Sequence, residues 1–164
     1  MTAKDFFESV REAAKDAERC RNLLNEMEQR ALRISSPSFE PRVRTTASDV
    51  MAKRVGDMVD REAALHARIE SDYALIDQAH RVLYGDTLDD GLASLAPRWW
   101  ADVLCLHYVD GLTWAQAGAV VGYCEQYTWQ SAKAALETLD AHGMTSAICG
   151  HGFAEDAACM AATA

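Results

Sequence analysis

Glu125, Gln126, Trp129, Gln130 and Lys133 recur at spacings of one, three and four, so a helix through them presents all five on one face. The chemistry of such a face is recognition. The side-chain amides of Gln126 and Gln130 each hold a donor and an acceptor that match the N6 and N7 edge of adenine. Trp129 offers a flat apolar surface to a thymine methyl or a sugar. Glu125 accepts from cytosine N4 or repels phosphate, and Lys133 attracts phosphate. Upstream, Thr113 and Trp114 open a shorter helical pattern, which places them beside a nucleic-acid backbone. The most basic stretch of the chain holds Arg42, Arg44, Lys53 and Arg54. It is read either as a solvated turn and helix start or as a set of phosphate contacts.

Catalytic patterns are missing. There is no Gly-rich phosphate loop, HExxH or Ser-His-Asp arrangement, so no catalytic residue, cofactor or enzymatic activity is expected. His66 and His80 lie 14 residues apart and read as surface or seam histidines. Asp89 and Asp90 fall at an expected helix start, where acidic side chains favour the helix dipole. Five cysteines, with no CxxC pair, indicate neither a disulfide framework nor a zinc ribbon. Cys149, His151 and Cys159 match no common metal spacing, so no metal is expected and reduced thiols are the default.

The elements that carry the recognition face are short. Thr113 reads as the N-cap of a helix over 114–121, with Gln116 in the capping-box position. Gly122-Tyr123 makes the turn, Cys124 stands where Ser usually caps, and a second helix runs from Glu125 to about Asp140. Helix, Gly-containing turn and helix make a helix-turn-helix. Leu92, Leu95, Trp99, Trp100, Val103, Leu104, Leu106 and Tyr108 supply the small core behind it.

Two long helices precede this unit. Phe6, Val10, Ala13, Ala17, Cys20, Leu24, Met27, Ala31 and Ile34 alternate at spacings of four and three, a heptad seam. Thr2 reads as its N-cap, with Asp5 three residues on. A second seam runs through Met51, Val55, Met58, Leu65, Ile69, Ile76 and Leu83, interrupted by Glu62. Gly85-Asp86 ends it. The segment between the seams, rich in Ser and Pro, allows an antiparallel hairpin. The seams hold Ala, Cys and Met, so a further helix or a second copy of the chain would complete them.

The sequence therefore predicts an all-α protein in three parts: a helical hairpin over 1–85 with coiled-coil-like seams, a helix-turn-helix domain over 86–142, and an Ala-rich tail over 143–164. Leu92-x-x-Leu95, the run Val103 to Trp114, Gly122-Tyr123 and Ala135-Leu136-x-x-Leu139 together resemble the fourth conserved region of bacterial sigma factors. The Leu-Thr-Trp start and the preceding hairpin resemble ArpU-like and RinA-like phage proteins and their relatives. That resemblance, over about 50 residues, implies a phage or prophage transcription regulator that binds double-stranded DNA, with RNA polymerase as a further partner. Two departures stand out. Gln116-Ala117-Gly118 replaces the usual Glu-Ile-Ala, and Thr128 and Ser131 occupy two seats of the second helix that are usually apolar.

Charge opposes part of this reading. The net charge is −9, and residues 85–142 contain two basic and eight acidic side chains. The alternatives are a small terminase-type packaging subunit and a helix-turn-helix that only contacts protein. No run of about 18 apolar residues and no apolar leader core occurs, so no membrane span is expected, the expected location is the cytoplasm, and the expected state is a homo-oligomer.

Overall fold

The computed structural model describes residues 1–33, 47–86 and 91–148. Among them every regular element is helical and no strand occurs. The fold is all-α. α1 (Ala3–Arg33) and α2 (Ala47–Tyr84) form a long hairpin. They are followed by α3 (Leu92–Leu95), α4 (Arg98–Leu104) with a π-helical extension (Cys105–Val109), α5 (Trp114–Val121), α6 (Glu125–His142) and α7 (Thr145–Ile148). The chain divides into two compact units within the long helices. One contains residues 1–15 and 72 onward, and the other residues 16–71. Residue 85, where the Gly85-Asp86 cap was expected to end the hairpin domain, lies inside the first unit.

α1 begins at a capping box. The Asp5 N–H donates to Thr2 Oγ1 at 3.2 Å, and the Thr2 N–H donates to Asp5 Oδ2 at 3.2 Å. These bonds from Thr2 hold the Asp5 carboxyl below its usual range. A second carboxylate arrives from the last turns of α6, where Asp140 Oδ1 accepts the Ala3 N–H at 2.6 Å. Two acids thus satisfy amides at the positive end of α1.

In the first unit the α1 seam buries Phe6, Val10 and Ala13, with Phe7 alongside. Phe6, Phe7 and Val10 join Val82 and Leu83 of α2, Leu92, Val103, Leu104, Tyr108, Ala135 and Leu139 in one core. Each large apolar side chain buried there contributes about 1.5–3 kcal/mol. Leu95 is exposed and Leu106, Trp99 and Trp100 are half-buried, so the expected core is narrower than the pattern suggested. Met144 and Ala147 are buried in the same core, so the start of the tail belongs to the domain. Residues 149–164, with Cys149, His151 and Cys159, lie outside the described residues.

In the second unit Ala17, Cys20 and Leu24 are buried, as is Ile69 of α2, and Asp16 pairs with Arg68 across the hairpin. The seam closes only this far. Val55 is 56% exposed and Met58 39%, contrary to the heptad expectation. Past Leu24, α1 carries only Met27 and Ala31 at seam positions within the described residues. Ala31 is itself exposed, so there is too little apolar surface to cover α2 there.

Candidate nucleic-acid interface

α5 and α6 form the expected helix-turn-helix. The Gln116 N–H donates to Thr113 Oγ1 at 3.3 Å, and the Thr113 N–H donates to Gln116 Oε1 at 2.9 Å, which completes the predicted capping box. Gly122 ends α5 at φ 83°, a left-handed conformation that favours glycine. Gly118 is needed for a different reason. A Cβ on it would lie 2.7 Å from both Thr128 Oγ1 and the Tyr123 carbonyl oxygen. The absent side chain lets α5 sit directly on the first turn of α6.

The polar seats of α6 are satisfied locally. Thr128 and Ser131 are buried, and their hydroxyls donate to the carbonyls of Cys124 at 3.0 Å and Tyr127 at 2.8 Å. Bonded back to the helix, they need no other partner. Cys124 has N-cap geometry but makes no side-chain cap bond. On the opposite face Glu125, Gln126, Gln130 and Lys133 are exposed, and Trp129 is 51% exposed. The five residues that the spacing grouped do share one outward surface. Lys133 lies 3.8 Å from Glu137 in an exposed pair, which contributes little to stability and is easily exchanged for another anion.

Trp114 is held differently from Thr113. The Thr113 hydroxyl is engaged with Gln116, whereas the Trp114 ring lies on the buried His107 ring, centroids 3.5 Å apart. His107 belongs to the π-helical turn, an irregularity with no sequence signal. Its Nδ1 donates to the Leu112 carbonyl at 2.7 Å, because a carbonyl can only accept. Nε2 then carries the lone pair and faces Arg11 Nη1 at 3.4 Å. Burial chiefly, and the Arg11 charge after it, push the His107 pKa down against the opposing Leu112 bond, so the ring is held neutral.

Arg11 and Lys4 are the residues that sequence reasoning missed. They line a cleft of about 420 Å³ together with Glu8, His107, Tyr108, Trp114, Trp129 and Lys133. The usable signal was the spacing Lys4, Glu8, Arg11 on one face of α1. Of the basic residues nominated as phosphate contacts, Arg42 and Arg44 lie outside the described residues. Lys53 and Arg54 are exposed on α2 in the other unit.

Cys105 Sγ lies 4.0 Å from His80 Nε2, a pairing that suggests a nucleophile. Burial instead raises the thiol to about 11, which keeps it protonated near neutrality. Neighbouring Tyr84 donates to Asp102 Oδ1 at 2.8 Å, and burial followed by this bond raises its phenol. Among the described residues no group of three or more His, Cys, Asp or Glu could hold a metal ion. No helix among them is long and apolar enough to cross a membrane. Compared with family models, curated proteins and solved structures, the chain has no significant match.

Proposed function

We propose that this chain is a non-enzymatic, sequence-specific DNA-binding protein that places α6 in a major groove. The observation that carries this reading is the outward face of α6. Gln126, Trp129 and Gln130 are all free to meet base edges, on a helix seated by Gly118 against α5. Lys4 and Arg11, from α1, line the same cleft as Trp129 and Lys133. They supply positive charge that the acidic helix-turn-helix segment lacks, and phosphate contacts of this kind fix register without reading sequence. The sigma-like motif points to transcription regulation in a phage or prophage, with RNA polymerase delivering the module to its site. Val55, Met58, Val59 and Leu32 are exposed on the long helices and favour association of copies of the chain, and the cytoplasm is the setting this role requires.

A second reading rests on a different surface. Tyr123 and Tyr127 are 42% and 47% exposed and pack on Trp99 at centroid distances of 4.6 and 5.7 Å. Such an aromatic cluster suits a protein partner. Selection from a random duplex library at low salt, with and without RNA polymerase, separates these readings. Enrichment of a defined sequence supports DNA reading, and enrichment only with polymerase supports the sigma-like route. Failure in both arms favours the interaction module. An assembly of eight or more chains around DNA would favour the packaging alternative over regulation.

A further inference from the structure

The cleft between the start of α1, the α4–α5 corner and α6 combines three features. It has a volume of about 420 Å³, within the range of small-molecule sites. Its walls include the rings of Trp114, Trp129, Tyr108 and His107, with Ala132 and Leu136. Its charged groups are Lys4, Arg11 and Lys133 against the single acid Glu8, a positive surplus in a chain of net charge −9.

Arg11 distinguishes this cleft from a merely basic surface. Lys4 is 3.7 Å from Glu8 and Lys133 is 3.8 Å from Glu137. Arg11 has no carboxylate within ion-pair distance among the described residues, and its one polar contact is with the neutral His107 ring. Its Nε is buried without a hydrogen-bond partner. A partly desolvated guanidinium without a counter-charge is costly unless an anion completes it. Guanidinium also prefers planar, two-oxygen acceptors.

We infer that this cleft binds a small planar anion, an aromatic ring carrying a carboxylate or phosphate, with the anionic group on Arg11 and the ring against Trp114 and Trp129. Binding itself does not depend on α6 reading DNA. Its consequence does: an occupant covers Trp129 and Lys133, so it competes with a duplex and makes the ligand an effector.

The test uses the full chain without DNA. Indole-3-acetate and adenosine monophosphate are the anionic probes, and indole-3-acetamide and adenosine are their neutral counterparts. Binding is followed by calorimetry and by the indole N–H resonances of the four tryptophans. At least one anionic probe should bind saturably and move the Trp114 and Trp129 resonances, while those of Trp99 and Trp100 stay in place. Its neutral counterpart and the Arg11→Met variant should each bind about tenfold or more weakly. Whichever anion binds identifies the headgroup. Lys133→Met, on an exposed side chain, gives a second charge deletion should Arg11→Met fail to fold, and should weaken the same probe. Absence of saturable binding up to about 10 mM, or equal affinity for neutral and anionic probes, would overturn the inference.

Discussion

His107 lies flat on Trp114, with ring centroids 3.5 Å apart and 16° between the planes. The stack ties the π-helical turn to the start of α5, and His107 sits in it as the neutral acceptor of Arg11. The folded-state pKa lies below the ordinary 6.5. Below that value the unfolded chain takes up a proton that the folded chain resists. Stability is therefore full above about pH 6.5 and is lost as pH falls toward the depressed folded value. Urea midpoints measured from pH 8 to pH 5 should fall, and His107→Phe should flatten that slope. An unchanged slope in the variant would show that His107 does not carry the dependence.

Gly118→Ala tests the seating of α6. Alanine favours the helix by about 1 kcal/mol, but its Cβ meets Thr128 Oγ1 and the Tyr123 carbonyl at 2.7 Å. The overlap should dominate, leaving the variant about 1–2 kcal/mol less stable in denaturant unfolding. A stabilised variant would mean that the two helices are less closely packed.

Cys124→Ser supplies the missing cap. Cys124 has φ −73° and ψ 154°, suitable for a side-chain oxygen to reach the amides of the next turn. Stability should rise by about 0.5–1 kcal/mol, read from the thermal midpoint.

The half-closed hairpin makes a contrasting pair. Leu24 is 9% exposed and Val55 56%. Leu24→Ala should lose about 2–4 kcal/mol, whereas Val55→Ala should change a monomer by less than about 0.5 kcal/mol. If copies associate through this stripe, light scattering gives a mass above 18.0 kDa that falls on Val55→Asp. A concentration-independent monomer mass for the unsubstituted chain would exclude that association.

The sequence revealed what depends on neighbours along the chain. Thr113 with Gln116, Gly122, the bounds of α5 and the outward face of α6 all follow from local spacing and capping chemistry. The α1 seam was legible as far as Leu24 because a heptad reports one face of one helix. Contacts between distant segments were not legible. The Asp140 bond to the Ala3 amide spans 137 residues, and the approach of Arg11 to His107 spans 96. The π-helical turn at Cys105–Val109, which buries His107 and Tyr108 together, has no residue signature. Val55 and Met58 show the converse: a regular apolar pattern without an apolar partner among the described residues stays exposed.

The most direct test measures affinity on a duplex enriched by selection, comparing Gln126→Ala and Gln130→Ala with Lys4→Ala and Lys133→Ala. All four side chains are exposed, so folding should be unchanged. Each glutamine substitution should cost about 1–3 kcal/mol on the enriched site and relax base preference there. Each lysine substitution should weaken every sequence alike and reduce the salt slope by about one unit per lost phosphate contact. Glutamine variants that bind the enriched site as tightly as the unsubstituted chain would contradict groove reading by α6.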